Sequence, residues 1–409
     1  MKVVLITEKY PFGQREQFLD AEITYCKNNH IELDIIPQDG DKSDGCRELP
    51  SNVSLLSIGN IRKFSFRHIK CAVQALFSPL FWKEIINQKG NAKAVMYKEK
   101  TAYRYLMKSL YIRDKLIKLY MEELQNHPDE IAFYTYWMKE SAFAIASLKK
   151  QFNCKAISRV HGFDLYVERH KYSYLPFHEY VVRNLDAIYP VTEAGKTYLT
   201  NLYGEQNNVA VRYLGTEDYG ISPMVSTDVY TIFSCSNVIP IKRVELIAEA
   251  IKLLDDKRIR WVHFGDGALL GKVESITRSI KNAECILAGR KTHQEVFEFY
   301  LNNQVDLFVN VSTTEGLPVS IMEAMSFGVP TVATDVGGTY EIVKNGINGK
   351  LIDSDIDAEE LAKVIRSIME ESAEEKQEMR KQARITWETK FSSKTAFSRF
   401  YNEVFEFYE

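Results

Sequence analysis

The sequence predicts an α/β protein built as two doubly wound, parallel-sheet domains, and three observations carry that expectation. The chain has 409 residues, too many for one ordinary hydrophobic core and enough for two. Short β-branched and apolar runs alternate with helical patterns along most of its length, the order that parallel sheets with crossover helices require. One stretch, 306–349, spells out a complete strand–helix–strand unit. A hydrophobic content of 45% beside 26% charged residues is that of an ordinary globular protein.

In that stretch, 307–311 is a short apolar run, 312–318 a polar loop, and 319–327 spaces its apolar residues like a buried helix. Gly328 closes the helix, and Pro330 cannot continue it and opens a second strand at 331–333. The result is a βαβ crossover, whose ligands bind at strand ends. Glu315 lies in the loop and Glu323 eight positions later on the helix. The loop after Glu315 offers backbone N–H groups close to a helix N-terminus, where a phosphate is held by oriented amides and the dipole. Glu323, about two turns away, is better placed to accept hydrogen bonds from sugar hydroxyls than to pair with Glu315 as acid and base. Spacing alone favours two solvated surface glutamates, since two Glu at this distance occur by chance in most long chains.

The wording is more specific. EGLPVSIMEAMSFGVPTVATDVGG closely resembles the C-terminal signature of the retaining glycosyltransferases of family 4, which have the GT-B fold: two Rossmann-like domains facing a cleft, with a last helix crossing back to the first. The resemblance implies that Glu315 faces the transferred sugar and Glu323 binds the nucleotide ribose. It also implies that backbone groups of Gly316, Leu317, Pro318 and Val319 touch sugar or phosphates.

In chain order, 2–7 reads as a buried strand, 8–14 as a loop, 16–28 as a helix and 31–36 as a second strand. The resembled family carries a pair of glycines in this first loop, near the donor phosphates. Here Gly13 is followed by Gln14 and Arg15, so Gly13 is assigned to the donor and Arg15 to a charge near acceptor or sugar. After a polar loop, 53–58 looks like a further strand. Residues 61–118 then carry fourteen Lys or Arg against three acids, although the whole chain has a net charge of −3. Leu106, Leu110, Ile117 and Met121 recur at helical spacing, with Arg104, Lys108, Lys115 and Lys118 on roughly the opposite side. Phe64, Phe66, Phe77, Phe81 and Trp82 lie in the same window. A basic, aromatic, amphipathic surface suits anionic lipid headgroups, and a helix packed on its own domain with a solvated basic face suits the pattern as well.

Strand 131–136, helix 139–151 and strand 156–160 lead to His161, Gly162, Phe163 and Asp164. A lone His at a strand end is more often structural than functional. RVHGFDLY, however, is similar to the family's HG-containing loop, which implies that His161 contacts the reacting hexose and that Asp164 touches acceptor or sugar. Strand 186–191 precedes helix 192–203, with Thr192 as its cap. The Gly, Ser, Pro and acidic stretch GTEDYGISPMVSTD marks a boundary near 219–228. The expected domains are 1–222 for the acceptor and 223–390 for the nucleotide sugar, with 391–409 returning to the first.

In the second domain, strand 230–235 and loop 236–243 lead into helix 244–254. Lys242 and Arg243 stand beside that helix N-terminus, where a diphosphate meets amide dipoles and positive charge. The family keeps a Lys matching Lys242 and usually an Arg where this chain has Asn237, which can still donate a hydrogen bond to the donor. GDGALLGKV is not a P-loop, because Val273 follows Lys272 in place of Ser or Thr. Arg290, after strand 284–288, corresponds to a loop near the nucleotide base, and a plain surface arginine is the alternative. Helices 357–371 and 374–390 precede a tail whose Phe397, Phe400, Tyr401, Val404, Phe405 and Tyr408 read as a core stripe.

Cys26, Cys46, Cys71, Cys154, Cys235 and Cys285 are scattered without a CxxC or Cys/His cluster, as expected of reduced thiols and no zinc site. MKVVLITEKYPFG reads as a first strand rather than a signal peptide, and no apolar run approaches the length of a membrane span. A cytoplasmic protein is expected, with a peripheral position on the inner face of the cell membrane as the further reading.

The resemblance implies a metal-independent hexosyltransferase that works with retention. It would need no cofactor beyond a nucleoside diphosphate sugar, UDP-linked by preference or GDP-linked. The acceptor would be a saccharide or lipid-linked saccharide in surface polysaccharide or lipopolysaccharide biosynthesis, and no nucleic-acid partner is expected. Two rival classes stay open: another GT-B enzyme, such as a sugar-nucleotide epimerase or phosphorylase, and a non-catalytic nucleotide-binding partner subunit. A dinucleotide oxidoreductase fits less well, since no GxGxxG follows the first strand.

Overall fold

A computed structural model of the protein describes residues 1–13, 16–39, 45–59, 66–86, 88–225 and 227–405. The chain forms two compact units. The first comprises Met1–Arg212 with Arg399–Glu409, and the second Tyr213–Ser398.

Six parallel strands make the sheet of the first unit: β1 (Lys2–Thr7), β2 (Leu33–Pro37), β3 (Val53–Leu55), β4 (Ile131–Thr135), β5 (Lys155–Val160) and β6 (Ala187–Pro190). Their order is β3-β2-β1-β4-β5-β6, with Val3 opposite both Leu33 and Ala132. Val3, Val4, Leu5 and Ile6 are all fully buried, so β1 is covered on both faces and reads as a continuous apolar run.

The second sheet contains β7 (Tyr230–Cys235), β8 (Ile259–Phe264), β9 (Glu284–Leu287), β10 (Leu307–Asn310), β11 (Thr331–Thr334) and β12 (Gly349–Ile352). Its order, β12-β11-β10-β7-β8-β9, repeats the same winding. In each sheet the order reverses between two neighbours, β1 and β4 in the first and β7 and β10 in the second. Connections leave such a pair in opposite directions, which opens a crevice beyond its carboxyl ends. The expected crossover is present as β10, helix Val319–Ser326 and β11, closed by Gly328 at φ +72°.

Two local expectations change. The basic window folds as helices Phe66–Leu76, Pro79–Ile86 and Ala92–Leu119, while Phe64 lies outside the described residues. Leu106 and Leu110 are buried as their spacing requires, but Met121 is 40% exposed, because the long helix stops at Leu119 and Tyr120 leaves helical geometry at φ −120°. The stretch expected to mark the domain boundary is instead bound into the second unit. Trp387 Nε1 donates to Thr216 Oγ1 at 2.7 Å, Arg384 pairs with Asp218 at 2.5 Å, and Arg380 Nη2 donates to the Ser222 carbonyl at 2.9 Å. The boundary therefore falls at Arg212/Tyr213 rather than at 222/223.

Helix Ser393–Phe405 begins in the second unit and ends in the first. In the first unit Phe400, Tyr401, Val404 and Phe405 are buried. They cover a charge cluster made by β5, β4 and helix Leu19–Asn28. Arg159, fully buried, donates through Nε to Tyr134 Oη at 2.6 Å, lies 4.0 Å from Glu22 Oε2, and stacks on the Phe400 ring at 4.1 Å. Tyr401 Oη donates to Glu22 Oε1 at 3.1 Å. Burial raises the Glu22 carboxyl above its ordinary range while Arg159 pulls it back. Tyr408 lies outside the described residues.

Candidate active site

The chemistry of the second unit gathers at its sheet reversal, beyond the carboxyl ends of β7 and β10. A small cavity there is lined by Ser234, Cys235 and Ser236 from β7 and its loop, by Lys242, and by Val309 to Ser312 from β10 and its loop. The Cys235 thiol is pushed up to about 12 by burial, so it is no nucleophile at neutral pH.

The loop after β10 holds Glu315 firmly. Ser312 N–H donates to Asn310 Oδ1 at 3.1 Å, Thr334 Oγ1 to the Ser312 carbonyl at 2.5 Å, and Thr313 N–H to the Ile241 carbonyl at 2.8 Å. Glu315 Oε1 then receives Lys242 Nζ at 2.6 Å and Asn310 Nδ2 at 3.3 Å. Gly338 N–H donates to the Gly316 carbonyl at 2.8 Å. That approach needs Gly337, at φ +57°, because a Cβ there would stand 2.2 Å from the Glu315 carbonyl oxygen.

Pro318 sits ahead of helix Val319–Ser326, where the first backbone N–H groups have no helical acceptor. Among the described residues, the N–H groups of Gly316, Leu317, Val319 and Ser320 make no hydrogen bond. They therefore remain available to an anion or to sugar oxygens, near a helix N-terminus that favours negative charge. Glu323, one turn into the helix and 8% exposed, pairs with Nε2 of His293.

Arg243 is the residue before helix Val244–Leu254, at φ +48°. Its Nε donates to the Val311 carbonyl at 2.7 Å, while Nη2 has no partner. It thus ties the Lys242 loop to the end of β10 with Nη2 to spare. Asn237 and Arg290 are exposed in the loops after β7 and β9. The β8 and β9 loops are joined by Gly265 N–H donating to the Gly289 carbonyl at 2.9 Å. Asn310 and His293 were not expected from sequence. A polar residue ending a buried strand was a signal for Asn310, whereas His293 lies thirty positions from its partner.

In the first unit, His161 follows β5 and stands among aromatic rings, 4.7 Å from Tyr136 and 4.5 Å from Trp137. Burial, Arg159 and Lys139 hold its pKa well below the ordinary value, so the imidazole is neutral at pH 7. Asp164, expected to face acceptor or sugar, is instead 1% exposed. Its carboxylate accepts Met138 N–H at 2.6 Å and His161 N–H at 2.8 Å, pinning the His loop to the β4 loop. Burial raises its pKa to about 7. Gly13, at φ +67°, donates its N–H to the Gly45 carbonyl at 3.0 Å, and Arg15 lies outside the described residues.

A larger cavity opens at the opposite, amino edge of the second sheet, near Asp306 and Arg380. Its polar groups serve the fold: Asp306 accepts Thr231 N–H at 2.7 Å and Gln304 Nε2 at 2.7 Å, and Arg380 donates to the Val305 carbonyl at 2.6 Å.

Two sheets with one winding order, and a site at the reversal of the second, define a two-domain Rossmann-like GT-B protein. Residues 223–386 match the family model described as Glycosyl transferases group 1. The chain is 29% identical to the uncharacterized glycosyltransferase MJ1178 of Methanocaldococcus jannaschii over 50% of this chain and 56% of that protein. It is 32% identical to the Escherichia coli O-antigen biosynthesis glycosyltransferase WbnH over 28% of this chain and 30% of that one. The matched segments thus span about half, or less, of these relatives. The crystal structure of Anabaena Alr3699/HepE in complex with UDP superposes with a TM-score of 0.68 at 15% identity, covering 99% of this chain and 100% of the other.

Proposed function

We propose that the protein is a retaining hexosyltransferase that moves a sugar from a nucleoside diphosphate, UDP by preference, to a saccharide or lipid-linked saccharide in surface polysaccharide assembly. The observation that carries this reading is the Lys242–Glu315 pair at 2.6 Å beside four unengaged backbone N–H groups. A cation, a carboxylate and an amide cluster at one strand end are what a sugar diphosphate demands. In this reading Lys242 exchanges Glu315 for phosphate oxygens and, with Nη2 of Arg243, stabilises the leaving diphosphate. Glu315 then accepts hydrogen bonds from sugar hydroxyls.

Glu323, oriented by His293, takes the ribose hydroxyls. Arg290 and Asn237 reach the base and the diphosphate from their exposed loops. His161, neutral at pH 7, orients the hexose by hydrogen bonding rather than by charge. In this reading the barrier is lowered by preorganised charge, and the leaving phosphate takes the acceptor proton on the same face. The UDP in the Anabaena structure and the O-antigen role in the name of WbnH support the UDP and polysaccharide parts.

The test is a panel of UDP-, GDP- and ADP-sugars with nucleotide release as the first readout and the product anomer by NMR as the second. Release from one donor and an axial product from an axial donor are expected. An inverted product would remove the same-face mechanism, and release without a new glycosidic bond would point to an epimerase or hydrolase.

The first unit supports a peripheral membrane position for the acceptor. No helix among the described residues is long and apolar enough to cross a membrane. On helix Phe66–Leu76 and just beyond it, Ile69, Val73, Leu76 and Phe77 are exposed at i, i+4, i+7 and i+8, Phe77 by 79%, and Trp82 and Ile86 are exposed on the next helix. Lys70, Lys83 and Lys89 are exposed beside them. Apolar side chains flanked by lysines are the pattern of an interfacial helix. Replacing Val73, Phe77 and Trp82 together by Ser should cut co-sedimentation with phosphatidylglycerol vesicles by roughly tenfold or more, since each fully buried large side chain contributes about 1.5–3 kcal/mol. Unchanged binding would remove the membrane part of the reading.

A further inference from the structure

At about 350 Å³, the cavity at the amino edge of the second sheet has the size of a small-molecule site, roughly 300–1,000 Å³. The contacts that serve the fold do not use up its donors. Tyr230, the first residue of β7, lines the cavity and is 8% exposed, yet among the described residues its hydroxyl makes no hydrogen bond. Lys376 Nζ lies 5.7 Å from the centre of that ring and donates to the Met369 carbonyl at 2.6 Å, which leaves its other protons unused. Arg380, one turn further along helix Ala373–Lys390, spends Nη1 on the Val305 carbonyl and Nη2 on that of Ser222, while Nε is unengaged.

A buried donor without a partner is costly, and here three share one wall, two of them cationic. The other charges on the wall do not answer them. Each oxygen of Asp306 already accepts, from Thr231 N–H or from Gln304 Nε2. Arg258 is paired with Asp256 at 2.6 Å, and Asp228 is exposed. What the wall lacks is an acceptor, and Pro330, Ile368, Met369 and Met379 surround the gap with hydrocarbon. We propose that this cavity binds a small organic anion, a carboxylate or phosphate ester with a hydrocarbon body. Its charged head takes Tyr230 Oη, Lys376 Nζ and Arg380 Nε, and its body lies against Met369 and Met379. β7 begins at this cavity and ends at the candidate active site, so the anion and the donor sugar occupy separate places. The proposal concerns binding alone and does not depend on the proposed reaction.

Two wall residues report on the cavity directly, in methyl-¹³C-methionine spectra of the full chain titrated with phenyl phosphate. The Met369 and Met379 signals, assigned by leucine substitution, should shift saturably. Met322, buried in helix Val319–Ser326 near the active site, should not move. Inorganic phosphate and phenol, each carrying one part of the ligand, should bind more weakly than phenyl phosphate. Tyr230→Phe and Lys376→Gln should each weaken binding about tenfold or more, as expected when one hydrogen bond to a charged group is lost. Lys376→Gln, a half-buried position, carries the test if the tyrosine variant does not fold. UDP should leave the probe in place, and 3-phenylpropionate, titrated next, separates a carboxylate head from a phosphate. The proposal is overturned if the two signals do not respond, if UDP displaces the probe, if inorganic phosphate binds as tightly as phenyl phosphate, or if the folded variants bind like the parent.

Discussion

Lys242→Ala and Glu315→Ala should each lower kcat/KM for sugar transfer by roughly 10²–10³, the range seen when one preorganised contact to developing charge is removed. They should do so in different ways. In the proposed reaction Lys242 meets diphosphate oxygens, so its loss should raise KM for the donor and weaken inhibition by free nucleoside diphosphate. Glu315 in the same proposal holds sugar hydroxyls, so its loss should fall mainly on kcat, leaving the nucleoside diphosphate Kd within a few fold. The two side chains meet at 2.6 Å, and groups in direct contact are not additive. The double variant should therefore be little worse than the poorer single one. Steady-state kinetics with nucleotide binding by calorimetry checks all three statements. Equal effects of both variants on nucleotide affinity, with kcat unchanged, would show that the pair only braces the loop.

Truncation after Ser398 should remove the cooperative unfolding of the first unit. Phe400, Tyr401, Val404 and Phe405 are each 2% exposed or less. Burying side chains of this size contributes about 1.5–3 kcal/mol apiece, so four together rival the 5–15 kcal/mol total stability of a typical domain. The cut would also uncover Arg159 and Glu22. A gentler probe is Tyr401→Phe, which removes one hydrogen bond to a buried carboxylate and should cost about 1.5–3 kcal/mol. Thermal unfolding by circular dichroism distinguishes the outcomes. A truncated chain with both transitions intact would mean that the tail merely rests on the first unit.

The fold was legible where burial imposes a simple pattern. β1 and β10 are apolar on both faces, and Gly328 with Pro330 punctuates the crossover. Thr192 was readable as a cap because a hydroxyl ahead of a helical run has an N–H to satisfy, and it accepts Gly195 N–H at 2.9 Å. In the site, the pairing of Lys242 with Glu315 was not visible, although both residues were. They lie 73 positions apart, and only the adjacency of β7 and β10 brings them together. His293, thirty positions from Glu323 on the helix after β9, was not singled out at all. Asp164 misled because an acid after a His–Gly step looks available, whereas its oxygens are spent on two backbone N–H groups.

The first unit draws its last turns of helix from beyond residue 398, and that fixes an order of events on the ribosome. The usual rule is that domains mature from the amino end as they emerge. Here residues 1–212 must wait, with Glu22 and Arg159 still lacking their cover, while the whole of 213–398 is made and can close its own sheet. The later-synthesised half is thus free to finish first. Until the last segment arrives, the nascent amino-terminal half is the natural client of a chaperone.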